Sequence, residues 1–376
     1  MSNKLTQFVQ LLRSTKRAQE LGTVILFVTS RCNSFCRTCF YHAELNQPGD
    51  LTFSQIETIA RTMPPITDLW LSGGEPTLRR DLTAIIDLFV QQNGVTRVII
   101  PTNGLLKERI ADVVNSALNH NPQLQDLYLN VALDGFGATH DHIRGVPGHW
   151  SKTLACLEHL QPLKEKYGDR LRINVNTVVC AENYTEISSL ADFLWTHCQL
   201  DGHYFNIVRG TTKVGDAIKD IPHEVLPEMY AAVAALTKRY GDRMFADDEE
   251  ARRFIKNVAY VGTINTHYRL QHANFAAPTP WPFPCTAGTT TAVIDYNGDV
   301  RACELRDKFA SLKDYGYDFG ALWATQERQD ELASIDGGKA CWCTHVCFIH
   351  DSLRHSRRAL LYEVPKNYLR RSHWAA

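Results

Sequence analysis

The sequence lacks an apolar run of membrane-spanning length, an N-terminal signal peptide and an excess of charge of either sign. Its 40 Lys and Arg against 41 Asp and Glu give a formal net charge of -1, which argues against a general polyanion binder. We therefore expect a cytoplasmic protein that does not bind nucleic acid. Peripheral membrane contact through a basic, aromatic tail at residues 351–376 or a helix at 1–22 is left open.

The 11 cysteines do not form the pattern of a disulfide framework. Eight of them lie at tight spacings towards the two ends of the chain, which favours metal or cluster ligands in a reducing compartment. Cys156, Cys180 and Cys198 stand singly in apolar segments and are expected to be core thiols.

Strand and helix patterns alternate from Thr23 to about Arg209, which predicts an α/β fold with a parallel sheet. The predicted strands cover residues 23–29, 67–72, 96–101, 126–133, 171–179 and 203–208. Helices are predicted near 52–62, 81–92, 105–118, 151–166 and 184–197, with a loop over 140–148. Further helices are predicted at about 223–240 and from about 247.

Three cysteines, Cys32, Cys36 and Cys39, follow the first predicted strand in a C-x-x-x-C-x-x-C spacing. In α/β barrels the chemistry sits at this carboxyl end of the strands. A structural zinc site would need a fourth ligand, and the nearby sequence offers none. A cubane iron–sulfur cluster held by three thiolates instead leaves one iron open to a small molecule.

The cysteine spacing resembles the motif of the radical S-adenosylmethionine (radical SAM) superfamily. Later segments resemble the same family: Gly73-Gly74-Glu75-Pro76, Thr102-Asn103-Gly104, and Asp134-Gly135 followed by His140-Asp141 and Arg144-Gly145. The resemblance covers roughly residues 23 to 350. It implies an open (β/α)6 partial TIM-like barrel, a [4Fe-4S] cluster on the three cysteines, and S-adenosylmethionine (SAM) as cofactor.

The resemblance also implies which residues bind SAM. Glu75 in the G-G-E-P motif would hold the amino group, with its glycines admitting close backbone approach to a ligand. Arg144 would hold the carboxylate, and the serine that usually shares this contact is Ala132 here. Thr38 stands where relatives carry an aromatic residue near adenine, so Phe40 or Tyr41 is expected to take that role. The full expected set is Gly73, Gly74, Glu75, Pro76, Asn103, Asp134, Arg144, Asn176 and Phe40.

A second cysteine set follows the proline-rich stretch 276–284. Asn297-Gly298 between two alternating runs predicts a hairpin that brings Cys285 and Cys303 towards each other. The resemblance implies a SPASM or twitch-type domain. Five cysteines here suit the twitch form, with one auxiliary [4Fe-4S] cluster. The expected ligands are Cys285, Cys303, Cys343 and Cys347, with Cys341 as the alternative to Cys343; His345 as a ligand and structural zinc stay open.

The family chemistry implies that SAM is cleaved to a 5′-deoxyadenosyl radical, which abstracts hydrogen from a substrate. An auxiliary cluster that accepts an electron would make the net reaction an oxidation, with Glu304 as candidate general base. A carbohydrate-, nucleoside- or glycolipid-like molecule is the first expectation. The alternatives are a peptide maturase with a separate leader-binding partner, since few residues precede the first strand, and a non-enzymatic electron carrier or zinc scaffold. A flavodoxin or ferredoxin is the expected electron donor.

The expected domain organisation has five consecutive segments. They are a helix at 1–22, the barrel at 23–215, bridging helices and linker at 216–284, the auxiliary domain at 285–350 and the tail at 351–376.

Overall fold

The computed structural model describes residues 20–335 and 341–374. The predicted N-terminal helix falls almost wholly outside the described residues. The chain divides into two compact units, each built from separate segments. We call residues 21–221 with 292–329 the barrel unit, and residues 222–291 with 330–374 the helical unit. The predicted hairpin is therefore grouped with the barrel strands, and the five predicted domain bounds stay a prediction.

The strands form one open sheet in the order β6-β5-β4-β3-β2-β1-β7-β8-β9. The first six are parallel, as predicted: β1 Thr23–Thr29, β2 Asp68–Gly73, β3 Arg97–Thr102, β4 Asp126–Ala132, β5 Leu171–Val179 and β6 Gly202–Ile207. The last three, β7 Thr291–Ile294, β8 Asp299–Arg301 and β9 Ala310–Ser311, pair antiparallel and include the predicted hairpin. The predicted partial-barrel α/β fold is confirmed, with a sheet that does not close.

The helices of the described chain are numbered in chain order. The barrel unit contains α1 Phe53–Thr62, α2 Leu82–Asn93, α3 Lys107–His120, α4 Gly137–Arg144, α5 His149–His159, α6 Gln161–Tyr167 and α7 Ile187–His197. They are followed by α8 Leu226–Met244, α9 Glu250–Ala276, α10 Phe319–Trp323, α11 Gln326–Ile335, α12 Val346–Arg354 and α13 Val364–Leu369.

Two helix predictions were wrong in detail. The single helix expected over 151–166 is two helices, α5 and α6, because Pro162 at the start of α6 has no N–H to continue the first helix. The segment expected as a loop over 140–148 begins as helix α4, which ends at Gly145 in the left-handed conformation. This helix turns the side chains of His140 and Arg144 into the protein, where both are buried.

The two faces of the barrel sheet differ in chemistry. On β4 the buried positions are Leu127, Leu129 and Val131, whereas the alternate positions are partly exposed. Right-handed crossovers place all the connecting helices on one face of such a sheet, so the apolar positions pack against helices. The alternate positions, among them Tyr128 and Asn130, line the concave face that a barrel encloses.

The helical unit is organised around α9, the longest described helix. Its Gly262 permits close approach of α13, because a Cβ there would overlap the carbonyl oxygen of Val364. The tail packs within this unit, since the ring of Trp374 stacks on Tyr230 with centroids 5.2 Å apart. Among the described residues, no helix is both long and apolar enough to cross a membrane.

Candidate active site

The cysteine loop, residues 32–39, follows β1 at the carboxyl edge of the sheet. Its backbone is tied to the end of α4: Phe35 N donates to the carbonyl of Arg144 (3.0 Å) and Arg37 N to that of Ile143 (2.8 Å). At the start of the loop, Cys32 N donates to Asn46 Oδ1 (3.0 Å). These bonds fix the positions of the three thiols before any ligand binds.

An ion pair between distant parts of the chain clamps the same loop. The Arg37 guanidinium donates to Glu182 Oε1 from Nη2 (2.7 Å) and from Nε (3.0 Å). Glu182 lies just beyond β5, so this pair fastens the cysteine loop to the fifth strand end. Sequence reasoning missed both residues, although both follow carboxyl ends of strands, where side chains meet.

The thiol environment fits a cluster that binds thiolates. Burial raises the pKa of Cys32 to about 12 and that of Cys39 to about 11, so without metal both stay protonated at neutral pH. Cys32 Sγ accepts from Ser34 N (3.4 Å), and Cys36 Sγ lies 3.6 Å from Arg144 Nη1. Donors of this kind stabilise sulfur bound to iron, and binding would release the thiol protons.

The glycines of the G-G-E-P motif make room for the backbone that enters the cysteine loop, and their expected contact with a ligand stays a prediction. Gly73 has φ +129°, and a Cβ on it would overlap the carbonyl oxygen of Thr29. A Cβ on Gly74 would overlap that of Arg31. The backbone that approaches these glycines is therefore the chain entering the cysteine loop.

Glu75 is buried and is oriented by four protein donors. Its Oε1 accepts from Thr77 N (3.2 Å), Thr77 Oγ1 (2.6 Å) and Thr102 Oγ1 (2.9 Å). Among the described residues, its Oε2 accepts one hydrogen bond, from Asn103 N (2.7 Å), which leaves one acceptor position. Burial raises the pKa of this carboxyl, and the four donors act against that rise. A ligand ammonium is a chemically suitable fifth donor.

Arg144 and Asp134 form a buried ion pair at the end of β4. Arg144 Nη2 lies 2.7 Å from Asp134 Oδ2, with side chains 11% and 0% exposed. Asp134 Oδ1 also accepts from Val178 N (2.7 Å). Burial raises the pKa of Asp134, and Arg144 is the main opposing influence. Asp134 thus anchors one side of the Arg144 guanidinium. The contact of Arg144 with the SAM carboxylate stays a prediction.

The two aromatic candidates after Cys39 have different surroundings. The Tyr41 hydroxyl donates to Asp295 Oδ1 (3.2 Å) and its ring lies 4.5 Å from that of Phe27, so it belongs to the packed core under the hairpin. Phe40 instead lies under the Arg209 guanidinium, 5.2 Å from ring centroid to Cζ. Phe40 therefore lies beside a cation, whereas Tyr41 contacts the Asp295 carboxylate.

The turn that carries Glu304 comes near Phe40. A Cβ on Gly210, beyond β6, would lie 2.9 Å from Phe40 Cβ and 3.1 Å from Leu305 Cδ2. Leu305 thus approaches the residue that follows Cys39. Its neighbour Glu304 lies in the turn after β8, close in the chain to these contacts.

The predicted auxiliary ligands are divided between the units. Cys303 belongs to the barrel unit, and Cys285, Cys343 and Cys347 belong to the helical unit. Within the helical unit, Thr286 beside Cys285 bonds to Ser352 Oγ (3.0 Å, from N) and Asp351 Oδ2 (2.7 Å, from Oγ1) on α12. Cys347 lies in the first turn of that helix.

Cys343 shares one contact with the first cysteine of the cysteine loop. His345 N donates to Cys343 Sγ (3.4 Å), as Ser34 N donates to Cys32 Sγ. The carbonyl of Cys343 is also held by Trp281 Nε1 (3.2 Å). An N–H group two residues ahead that points at the sulfur suits a ligand thiolate, so Cys343 remains among the expected ligands.

Comparison with known proteins connects this site to one family. Residues 26–194 match the Radical SAM superfamily. The pre-heme d1 synthase of Dinoroseobacter shibae is 35% identical over 156 residues, which are 40% of this chain and 36% of that protein. The chain spans less than half the length of the first curated relatives it matches. The S-adenosylmethionine-dependent nucleotide dehydratase of Selenomonas ruminantium is 22% identical over 287 residues, covering 68% of this chain and 97% of that enzyme.

A solved structure has a similar fold over nearly the full length. Native anSMEcpe with bound AdoMet and Cp18Cys peptide has a TM-score of 0.53 and 14% sequence identity. The match covers 94% of this chain and 95% of that one. At this identity the likeness concerns the fold alone.

Proposed function

We propose that this chain, whose residues 26–194 belong to the radical SAM superfamily, oxidises a neutral, hydroxyl-bearing small molecule. When bound, the [4Fe-4S] cluster and SAM supply a 5′-deoxyadenosyl radical that removes a hydrogen atom from the substrate. The backbone of the cysteine loop positions the three thiolates, and neighbouring side chains orient Glu75 and Arg144. The proposed substrate class rests on one observation, the uncharged polar side chains that line the concave face of β4–β6.

That lining consists of amide and phenol groups. Cross-strand pairing aligns Asn130 with Asn174, and Tyr204 with Asn176, on one face. Asn174 Nδ2 donates to Asn130 Oδ1 (3.1 Å). Asn176 Oδ1 is buried and has no hydrogen-bond partner among the described residues. Side-chain amides both donate and accept, which matches hydroxyl and amide groups of a substrate.

The charged side chains on the same face are already paired. Arg97 lies 3.2 Å from Asp68 and 3.5 Å from Asp126, all at the amino ends of their strands. Arg172 lies 3.2 Å from Asp201. An anionic substrate in the middle of this face would therefore find neutral groups where it needs cations, so we favour a neutral one.

An alcohol oxidation needs a base and an electron acceptor as well as the radical. Conversion of CH–OH to C=O removes one hydrogen atom, one proton and one electron. Glu304 would take the proton as general base, and the radical supplied by bound SAM would take the hydrogen atom. The second cysteine set, Cys285, Cys303, Cys343 and Cys347, would hold the auxiliary [4Fe-4S] cluster that accepts the electron. A flavodoxin- or ferredoxin-type protein would reduce the first cluster.

The test begins with anaerobic reconstitution, followed by incubation with SAM and dithionite. We expect 5′-deoxyadenosine and methionine from the wild type and none from the Cys32→Ala, Cys36→Ala, Cys39→Ala variant. Cys198→Ser, which alters a partly exposed cysteine outside both sets, is the matched control and should retain activity. Deoxyadenosine from the triple variant would overturn the radical SAM assignment.

The substrate class is tested with matched neutral and phosphorylated probes. We would compare glucose with glucose 6-phosphate, and adenosine with AMP, for stimulation of 5′-deoxyadenosine formation. Stimulation by a neutral member of a pair supports the proposal. Stimulation by the phosphorylated members only, or by none of the neutral probes, would overturn the neutral class and leave the radical chemistry standing.

A further inference from the structure

Two buried histidines, His140 and His149, lie between the end of β4 and the cysteine loop. Both are 0% exposed. The backbone N of Asp134 donates to His140 Nδ1 (3.0 Å). A backbone N can only donate, so His140 Nδ1 is an acceptor and a neutral ring carries its proton on Nε2. Burial lowers the pKa of His140 to about 2, which keeps the ring neutral.

The direction of the next bonds follows from that assignment. His140 Nε2–H donates to His149 Nδ1 (2.9 Å), so His149 also carries its proton on Nε2. His149 Nε2–H then donates to Ser34 Oγ (3.3 Å). Burial lowers the pKa of His149 to about 4, so this ring is neutral as well. Thr153 Oγ1 lies 2.9 Å from His149 Nδ1 and donates its proton to that nitrogen, so Nδ1 accepts from both His140 and Thr153.

Ser34, the last residue of this hydrogen-bond chain, accepts a second hydrogen bond from another part of the site. Ser34 Oγ also accepts from Asn103 Nδ2 (3.2 Å), and Asn103 is itself fixed through its backbone N on Glu75. The Ser34 side chain is thus fixed by one donor from the start of α5 and one from the residue that follows β3. Its backbone N–H points at Cys32 Sγ (3.4 Å).

We propose that His140 and His149 are positioning residues that hold the Ser34 N–H on the Cys32 sulfur and thereby tune the iron–sulfur cluster. An N–H donor withdraws electron density from a ligand thiolate, which favours the reduced cluster and raises its reduction potential. The inference rests on the proposed function for the cluster, but the hydrogen-bond chain itself belongs to the protein alone. If the two histidines only filled space in the core, their replacement would not affect the cluster.

The first experiment uses iron-free protein and so does not depend on the proposed function. Two-bond ¹H–¹⁵N correlation spectra of ¹⁵N-histidine-labelled protein, with His140→Phe and His149→Phe for assignment, report the tautomer of each ring. We expect the Nε2–H tautomer for both residues. An Nδ1–H tautomer or a charged ring at either position at neutral pH would overturn the relay.

The second experiment measures the potential of the reconstituted first cluster by EPR-monitored redox titration. His149→Phe keeps a ring of similar size but removes both nitrogens, and we expect a shift to lower potential at unchanged iron content. His149→Gln, which restores a donor and an acceptor, should move the potential back. His159→Phe, on an exposed histidine of α5, is the matched control and should leave it unchanged.

A variant of Ser34, at the other end of the hydrogen-bond chain, keeps the proposal testable if His149→Phe misfolds. Ser34→Ala removes the hydroxyl that His149 holds but keeps the backbone N–H, and we expect the same direction of shift. Wild-type potential and EPR spectrum in Ser34→Ala, or in a folded and fully loaded His149→Phe, would overturn the proposal. A wild type that loads no cluster at all would instead count against the proposed function.

Discussion

Replacement of Arg144 by alanine removes one half of a buried ion pair and leaves the other half inside the protein. Asp134 is fully buried and Arg144 is 11% exposed, so water cannot solvate the carboxylate charge that loses its partner. Removal of one partner of such a pair costs about 3–5 kcal/mol. Asp134 keeps the hydrogen bond from Val178 N, which places our expectation at the low end, about 3 kcal/mol.

The loss should depend on pH with a definite sign. Burial already raises the pKa of Asp134 in the folded protein, and without Arg144 it rises further. An acid with a raised folded pKa binds more protons when folded, so stability falls as pH rises through the window between its unfolded and folded values. The deficit of Arg144→Ala should therefore be largest at neutral pH and shrink on acidification towards about pH 5.

The assay is urea unfolding of the iron-free, reduced protein, followed by circular dichroism at pH 7.5 and 5.5. Arg80→Ala, at an exposed position beyond β2, is the matched control and should change stability by less than about 0.5 kcal/mol. Asp134→Asn combined with Arg144→Met should be closer to wild type than Arg144→Ala alone. A deficit below about 1 kcal/mol at pH 7.5, or one that grows in acid, would refute the reasoning.

Three further predictions concern the clusters, the base and the glycines. Cys343→Ser should lose about four irons on reconstitution, while Cys341→Ser keeps the full iron content. If Cys341→Ser loses the irons instead, Cys341 and not Cys343 is the ligand. Glu304→Gln should keep both clusters and deoxyadenosine formation but lower substrate oxidation at least about 100-fold, so unchanged product formation would remove Glu304 as the base. Gly74→Ala should lower the melting temperature of iron-free protein and the yield of the first cluster, because its Cβ overlaps the carbonyl of Arg31; normal loading would contradict the packing described here.

The sheet was predictable because its residues carry their own periodicity. A continuous apolar run marked β1, and polar–apolar alternation marked β4 and β5; the bounds of β1 and β5 agree with prediction. The parallel direction of the first six strands followed from the alternation of strands and helices. The split between α5 and α6 was also readable in principle, since Pro162 stands in the middle of the expected helix.

The partners within the site were not predictable to the same degree. Arg37 and Glu182 are 145 residues apart, and Ser34 and His149 are 115 apart. Sequence indicates that both members of each pair lie near the same edge of the sheet, but not which side chains meet there. His149 in particular carried no signal, because a single histidine at the start of a helix is common.

The G-G-E-P segment shows why a motif need not touch the ligand with every residue. Gly74 N donates to the carbonyl of Thr29 and Glu75 N to that of Arg31, both at 2.8 Å, and neither glycine position tolerates a Cβ. Cys32 comes next after Arg31. The glycines therefore set the height of the first thiol above the sheet, while Glu75, one residue on, keeps an acceptor position on Oε2. Thiol and carboxylate are thus fixed to one short, rigid stretch of paired backbone. A small molecule bound between iron and Glu75 would meet two groups whose separation is set by backbone packing rather than by flexible side chains.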